Sequence, residues 1–283
     1  MSNKKRNSIL CPNCNKLISK DEDTCPYCGV GKPGSWLKNN TLMKGLFQDQ
    51  GAISAIIILN LLFYLISIFA EPSYLLKTLS SSNFLAWLSP SSKVLVYLGM
   101  TGTVTVNYGY WWSLINANYL HGGILHIAFN MYALYSLAPL VIEEYGANRF
   151  IVIFTFGGIG SYIVSYFAGI TYTLGASGAV CALIGAILFY GYKRGGTYGK
   201  ELMRQAGSWI FSLVIFGLIV SSINNWAHFG GIASGALLGF GLKYKQQLSE
   251  KFFHKWLAAF SILITIASLS WGVFNIVRAG FFG

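Results

Sequence analysis

The order of apolar and polar positions divides most of the chain into long apolar runs with short polar gaps. A helix needs about 20 predominantly apolar residues to cross a bilayer. After residue 50, seven runs reach or approach that length. The predicted spans are residues 51–70, 121–141, 150–169, 176–192, 208–222, 227–242 and 256–277. The pattern therefore predicts an all-α polytopic membrane protein.

The segment between the first two predicted spans, residues 71–119, has a different pattern. It is rich in Ser, Tyr and Trp and poor in charge. Amphipathic aromatic side chains favour the boundary between lipid and water. We therefore expect this segment to form an interfacial structure rather than a solvated loop.

Composition and charge agree with a membrane protein and give an orientation. Only 10% of the residues are charged, against about 25% in soluble domains. The net charge of +11 does not indicate nucleic acid, because the basic residues lie mainly in the first 50 positions or between apolar runs. With the N-terminus in the cytoplasm, cytoplasmic segments receive 17 of the 20 lysines and arginines, all except Lys77, Lys93 and Arg278. The positive-inside rule thus predicts a cytoplasmic N-terminus and an external C-terminus.

The N-terminal tail contains two C-x-x-C pairs separated by ten residues, "CPNC" and "CPYCG". Two such pairs can complete a tetrahedral thiolate site for zinc, with Cys11, Cys14, Cys25 and Cys28 as ligands. Four thiolates leave no open position, so the zinc would be structural and would provide most of the folding free energy. The alternatives are two disulfides or redox thiols, and disulfides need an oxidising compartment, against which the basic tail argues. We predict a zinc module at 1–31 and a linker at 32–50.

The predicted topology brings the polar residues of three spans to one depth. The second, fourth and sixth spans all run inward, so each begins at the external side. Ionisable groups within a bilayer are costly and usually functional. The polar residues at these three starts are His121, His126, Asn130, Ser177 and His228. We interpret this layer as one shared site near the external face.

The residues of this layer indicate a nucleophilic site. A serine hydroxyl is a poor nucleophile until a base takes its proton, and His228 is the natural base for Ser177. Small residues on one face let helices approach closely. On the sixth span these are Gly231, Gly235 and Gly239, and on the fourth Gly175, Gly178 and Gly185. No Asp or Glu lies in the layer, which favours a dyad over a triad.

Two further side chains are candidates for an oxyanion site. His126 and Asn130 are four residues apart and share one helix face. Both could donate hydrogen bonds to a tetrahedral intermediate, as could the backbone N–H of Ser177 at a helix N-terminus. The alternatives stay open at this point. An intramembrane serine often bonds to its own helix backbone, and a histidine or asparagine often ties two helices together.

Three motifs resemble the rhomboid intramembrane serine proteases: "HGGILHIAFNMYAL", "GASG" and "NNWAHFGG" continuing to "ASGALLG". They occur in the family's order, and the resemblance covers roughly residues 50–245. It implies that Ser177 is the nucleophile, that His228 is the general base and acid, and that His126 and Asn130 form the oxyanion hole. His121 would have a structural or water-holding role near the mouth of the site, with Gly175 and Gly178 supporting it. Glu143 would tie the cytoplasmic helix ends.

The resemblance also implies a fold and an activity. The fold would be a six-helix rhomboid core at 51–245, followed at 246–283 by a cytoplasmic loop and a seventh transmembrane helix. The protein would be a multi-pass enzyme of a bacterial cell membrane that cleaves single-span membrane proteins in or near their transmembrane helix. Catalysis would need no cofactor, and the zinc-ribbon-like module could bind an unknown cytoplasmic partner. The sequence departs from many members at Ser113, after Trp112, where they carry Arg, and at Cys181, where they carry Tyr or Phe.

Three alternative functions remain. The first is a catalytically silent rhomboid-like protein that binds transmembrane helices, although such a protein usually lacks the serine or the histidine. The second is a transporter or channel, which favours charges and broken helices near the midplane. The third is a lipid-modifying membrane enzyme, which would also need a polar outer pocket.

Overall fold

The computed structural model describes residues 7–11, 16–27, 29, 31–35, 49–80, 82, 87–220, 223–246 and 250–281. The chain divides into two compact units, Met1–Ala55 and Ile56–Gly283. The predicted C-terminal segment at 246–283 therefore belongs to the same unit as the predicted core. The predicted linker at 32–50 lies largely outside the described residues.

The first unit contains a short antiparallel hairpin, β1 (Ser8–Leu10) and β2 (Leu17–Ser19). Cys11 follows β1, is fully buried and packs in one small cluster with Ile18 of β2 and with Cys25. Cys14 and Cys28 lie outside the described residues. The two described cysteines thus share one buried cluster, and the four-cysteine site stays a prediction.

Within the described residues, the remaining secondary structure is helical. A 3₁₀ turn at Ala117–Tyr119 follows α5. The helices are α1 (Asp49–Phe69), α2 (Pro72–Leu79), α3 (Ser92–Leu98), α4 (Thr103–Asn107), α5 (Ser113–Asn116), α6 (Ile124–Tyr145), α7 (Ala147–Phe167), α8 (Ser177–Arg194), α9 (Gly196–Ile219), α10 (Asn225–Leu242) and α11 (Phe252–Arg278).

The helical architecture agrees with the predicted fold class. By length and apolar composition, five helices among the described residues could cross a membrane: α1, α6, α7, α9 and α11. The helices α8 and α10 match the predicted fourth and sixth spans in position but do not meet the same criteria. Both contain several glycines, and α10 also carries His228 and Asn225. Because α8 is largely buried by other helices, it does not need a fully apolar, lipid-facing surface.

Two helices extend beyond the apolar stretches that predicted their spans, and for the same reason. The fifth span was predicted from residue 208, but α9 begins at Gly196 and includes a Glu201–Arg204 ion pair. The second span was predicted to end at 141, but α6 continues to Tyr145. Lys, Glu and Arg are good helix formers, so a helix can continue past the apolar stretch that defines a span.

In the segment at 71–119, which was predicted to be interfacial, the described residues form four short helices, α2 to α5, rather than an open loop. Thr101 forms an isolated antiparallel bridge with Thr173, just before α8. Ser113, which stands where many family members have Arg, is fully buried and donates a hydrogen bond to Thr101 Oγ1 at 2.9 Å. This hydrogen bond between two neutral side chains joins the start of α5 to the residues just before α4.

The central feature of the bundle is a backbone-to-backbone contact between α8 and α10. A Cβ on Gly231 would overlap the carbonyl oxygen of Gly178, and one on Gly235 would overlap that of Ala182. From the other helix, a Cβ on Gly185 would overlap the carbonyl oxygen of Ile232. The predicted glycine face of α10 therefore contacts α8. Of the glycines predicted for the fourth span, Gly185 faces α10, whereas Gly178 faces Ser161 of α7 and Gly175 faces His126.

At the end of the bundle opposite Ser177, the predicted role of Glu143 is corrected. Glu143 is exposed, whereas Glu144 is 6% exposed and accepts a hydrogen bond from Tyr198 at 2.6 Å. The carbonyl oxygen of Glu144 also accepts from Lys245 N–H at 2.8 Å. The helix-tying glutamate is therefore Glu144, because the helical turn points this residue inward. At the same end, His254 of α11 is 3% exposed and its Nδ1 accepts from Lys251 N–H.

The α8–α10 contact gives a testable prediction. Gly235→Ala should destabilise the protein by about 1–3 kcal/mol and lower its melting temperature by about 3–8 °C, because the new methyl meets backbone that must move. The measurement is thermal unfolding of the purified protein in detergent. Gly241→Ala, on the same helix, is the matched control, since no described heavy atom lies within 4 Å of its Cβ. Equal melting temperatures for the two variants would contradict the packing.

Candidate active site

The structure brings Ser177 and His228 into hydrogen-bond contact. Ser177 is the first residue of α8, and His228 lies in the first turns of α10. His228 Nε2 is 3.0 Å from Ser177 Oγ, although the residues are 51 positions apart. Ser177 is half-buried, and His228 is 9% exposed. A hydroxyl and an imidazole in this geometry can exchange a proton.

The turn before Ser177 requires a glycine. Gly175 has φ +121°, a conformation that L side chains rarely adopt, and a Cβ there would lie 2.5 Å from His126 Nε2. Its N–H donates to Ala117 O at 2.8 Å, and its carbonyl accepts from the Tyr162 hydroxyl at 2.5 Å. Both backbone groups of this irregular turn are thus satisfied, as an apolar surrounding demands.

The start of α10 is fixed by Asn224. Its Oδ1 accepts from Ala227 N–H at 3.1 Å and caps the helix. Its Nδ2 donates to Ser165 Oγ on α7 and to Thr173 Oγ1 in the stretch before α8. The residue that caps the histidine helix therefore also holds the serine segment.

The structure also brings His126 and Asn130 to the turn before Ser177. His126 Nδ1 accepts from Gly122 N–H at 3.4 Å, so in the neutral ring the proton is on Nε2, the nitrogen nearest Gly175. Asn130 is 6% exposed, and its Nδ2 donates to His126 O in its own helix at 2.9 Å. That amide carries a second N–H, and Nδ2 lies 3.8 Å from a Cβ placed on Gly175.

Neighbouring residues complete the surroundings of the pair. His121 is fully buried and its ring meets His126 edge-on at 5.0 Å. Neither ring nitrogen of His121 has a hydrogen-bond partner among the described residues, and the same is true of His228 Nδ1. The described part of the chain therefore supplies no carboxylate to orient His228. The predicted water-holding role of His121 stays a prediction.

Gly178 and Cys181 determine how closely helices approach the serine. A Cβ on Gly178 would overlap Ser161 Oγ of α7. Cys181 is fully buried one turn below Ser177, and a Cβ on Gly231 would lie 2.8 Å from its Cβ. The small side chain at 181, where many relatives of the resembled family carry an aromatic, thus fits against the glycine face of α10.

Two side chains that hold the site, Asn224 and Tyr162, were not predicted from the sequence. Asn224 precedes an apolar helix and is a preferred N-cap residue type, so its capping role was detectable. Tyr162 lies in an apolar run, and no pattern in the sequence indicates that its hydroxyl reaches Gly175, 13 positions away. The role of Ala117 could not be predicted from its residue type either, because Ala117 contacts Gly175 and Tyr162 through its backbone carbonyl.

Comparison with known proteins finds similarity over the part of the chain that contains Ser177 and His228. The rhomboid domain profile matches residues 108–245. The chain is 34% identical to the rhomboid protease GluP of Bacillus subtilis (strain 168) over 151 residues, which is 52% of this chain and 29% of that protein. It is 33% identical to RHOMBOID-like protein 4 of Arabidopsis thaliana over 158 residues, 55% of this chain and 40% of that protein.

A third relative is matched over more of its length. The rhomboid protein YdcA of Bacillus subtilis (strain 168) is 32% identical over 136 residues, 47% of this chain and 67% of that protein. In GluP and RHOMBOID-like protein 4, by contrast, the match spans less than half of the relative.

The turn geometry gives a second prediction. Tyr162→Phe should slow the reaction of Ser177 with a fluorophosphonate about fivefold, because loss of one hydrogen bond of about 1 kcal/mol loosens the turn. The measurement is the labelling rate in membranes. Tyr166→Phe, one turn along α7, is the matched control, since its hydroxyl donates to Asn107 instead. If Tyr162→Phe labels as fast as the control variant, Tyr162 does not support the turn.

Proposed function

Because this chain belongs to the rhomboid family, we propose that it is an intramembrane serine endopeptidase that cleaves single-span membrane proteins in or near their transmembrane helix. The observation that carries the proposal is the 3.0 Å separation between His228 Nε2 and Ser177 Oγ. The pair lies beside a glycine turn and two potential donors, His126 and Asn130.

The proposed reaction follows from this pair. Ser177 Oγ attacks the carbonyl carbon of the scissile peptide bond, and His228 Nε2 accepts the hydroxyl proton. When the tetrahedral intermediate collapses, the C–N bond breaks and the imidazolium returns the proton to the leaving amine. Water then attacks the acyl-enzyme, with His228 again as the base, and releases the new carboxyl end. No metal or cofactor is required in these steps.

The proposed oxyanion site is formed by His126, Asn130 and the N–H groups at the start of α8. Of the two side-chain donors, His126 Nε2–H lies closer to the turn before Ser177, since this nitrogen faces Gly175. The first N–H groups of a helix have no intrahelical acceptor and can donate to an oxyanion. Loss of one such donor typically costs about 3–4 kcal/mol of transition-state stabilisation.

The arrangement of α9 suggests where a helical substrate enters. Only 11% of the most apolar 18-residue stretch of α9 is buried within the protein, against 61% of the corresponding stretch of α7. Two aromatic pairs join it to α6, Phe129–Phe216 at 5.8 Å and Tyr132–Trp209 at 6.1 Å between ring centroids. Because α6 also carries His126 and Asn130, we propose that substrate approaches from the lipid between α6 and α9. The scissile segment of the substrate must unwind before cleavage, since a helical carbonyl is hydrogen-bonded to the next turn.

The proposed orientation places Ser177 near the external face of a bacterial cell membrane. Lys193 and Arg194 end α8 at the bundle end opposite Ser177, and Lys243 follows α10 at the same end. Basic residues of this kind remain on the cytoplasmic side. The N-terminus is then cytoplasmic and the C-terminus external.

We propose further that the N-terminal module holds a structural zinc through Cys11, Cys14, Cys25 and Cys28. The burial of Cys11 and Cys25 in one cluster supports this proposal. The zinc would hold the hairpin together and take no part in peptide cleavage. A cytoplasmic partner for the module stays a prediction.

The protease proposal predicts that Ser177→Ala and His228→Ala each reduce cleavage of a co-expressed single-span reporter by at least about 10⁴-fold. Each variant should still insert into the membrane. The control is Ser212→Ala on α9, whose hydroxyl donates to its own helix at Ser208. Parent-level cleavage by Ser177→Ala would exclude the dyad. A wild-type protein that inserts but neither cleaves nor reacts with a fluorophosphonate would instead favour the silent, helix-binding alternative.

The zinc proposal predicts about one zinc per purified chain, measured by elemental analysis. The double variant Cys11→Ser/Cys25→Ser should lose the metal, because two ligands do not hold zinc tightly. Cys181→Ala is the control and should keep it, since Cys181 is buried within α8. Retention of zinc by the double variant would show that another group of residues binds it.

A further inference from the structure

The C-terminal helix α11 lies beyond the residues that the rhomboid domain profile matches. It nevertheless packs against α7, α3 and α5. The helices α3 and α5 belong to the interfacial segment at 71–119, which also forms the bridge between Thr101 and Thr173. A helix outside the matched domain therefore contacts a segment that contacts the serine turn.

The contact is polar and fully buried. Asn116, at the end of α5, is 0% exposed, and Ser268 of α11 is 6% exposed. Asn116 Nδ2 donates to Ser268 O at 3.1 Å and to Leu98 O of α3 at 2.7 Å. Ser268 Oγ lies 2.6 Å from Asn116 Oδ1 and 2.9 Å from Trp112 O, so its proton can serve either acceptor.

The helix approaches this closely because of a glycine one turn further along. A Cβ on Gly272 would lie 2.6 Å from Leu98 O and 2.7 Å from Asn116 Nδ2. Both donor positions of the Asn116 amide are used, one on α3 and one on α11. In a lipid environment no solvent can replace these bonds, so the amide holds three elements in one arrangement.

The residue after Asn116 continues the chain of contacts to the site. Ala117 is fully buried, and its carbonyl accepts the Gly175 N–H at 2.8 Å. The Tyr162 hydroxyl lies 3.3 Å from the same carbonyl. Gly175 is two positions before Ser177, and its conformation sets the direction in which α8 begins. A shift of Asn116 would therefore move the acceptor that holds the serine turn.

We infer that α11 positions the catalytic serine, with Ser268 and Asn116 as positioning residues that act through Ala117 and Gly175. Neither side chain touches the reacting atoms. Their effect is on the fraction of molecules in which Ser177 meets His228 correctly. The inference rests on the proposed function for its kinetic consequence, but the coupling of α11 to the serine turn can be measured without activity.

The test compares matched serine variants on one helix of the full chain. Ser268→Ala removes the hydroxyl that faces Asn116, whereas Ser261→Ala removes an equally buried hydroxyl that donates only to its own helix at Leu257. Two quantities are measured in detergent: the fluorophosphonate labelling rate of Ser177, and amide hydrogen exchange in peptides covering 98–120 and 170–178. The melting temperature of each variant is measured as well, as a report on its overall stability.

We expect Ser268→Ala to slow labelling about three- to twentyfold, the range that one interhelical hydrogen bond in a membrane protein allows. Amide exchange at 170–178 should also become faster, although these residues do not contact Ser268. Ser261→Ala should leave both quantities at the wild-type values. Ser268→Thr, which keeps the hydroxyl, should restore most of the labelling rate.

The outcomes separate positioning from general stability. If Ser268→Ala and Ser261→Ala behave alike, or if Ser268→Ala lowers the melting temperature without changing exchange at 170–178, the inference is wrong. If the wild-type protein does not label but Ser268→Ala still accelerates exchange at 170–178, the coupling holds and the protease proposal fails. Slower labelling together with faster exchange at 170–178 supports both.

Discussion

The direct contact of two glycine-rich backbones brings the serine and the histidine within reach of each other. Helices with ordinary side chains between them pack about 8–10 Å apart, and larger residues at this contact would hold α8 and α10 further apart. Here Gly231 and Gly235 of α10 face carbonyl oxygens of α8 at a distance that leaves no room for a Cβ. Ser177 and His228 are near the starts of these helices, so the contact below them fixes the hydrogen bond above.

This packing has a consequence for the rest of the bundle. Helices that carry glycines and polar residues are poor partners for lipid, and α8 is accordingly enclosed by its neighbours. The outer helices carry the lipid-facing apolar surface. Only 11% of the apolar stretch of α9 and 33% of that of α11 are buried within the protein. Thus α8, which does not meet the composition criterion for a membrane span, is shielded from lipid by its neighbours.

The turn before Ser177 is irregular backbone within a bundle of apolar helices, and irregular backbone in such surroundings is tolerated only where other parts of the protein satisfy its hydrogen bonds. Ala117 O and the Tyr162 hydroxyl satisfy Gly175, and Thr101 pairs with Thr173. Each partner comes from a segment more than ten positions away. The interfacial segment is therefore part of the site's framework, and α11 in turn contacts that segment through Ser268.

Several features could be read from local pattern because they are local in origin. Apolar runs predicted seven spans, of which five meet the length and composition criteria, and the glycine spacing predicted the face of α10 that meets α8. The positions of Glu144 and His254 could not be read in this way. Neighbouring residues in a helix point in directions about 100° apart, so whether Glu143 or Glu144 faces inward depends on the rotation of α6 against α9 and α10.

The amino-acid pattern was sufficient for the long helices and for the contact between Ser177 and His228, since each depends on periodicity or on residue chemistry. It was not sufficient for Tyr162, Ala117, Asn116 and Ser268. Their contribution is a contact between segments 13 to 152 positions apart, made partly by backbone carbonyls that every residue possesses. Such contacts exist only after the helices have packed, because packing alone determines which carbonyl meets which donor.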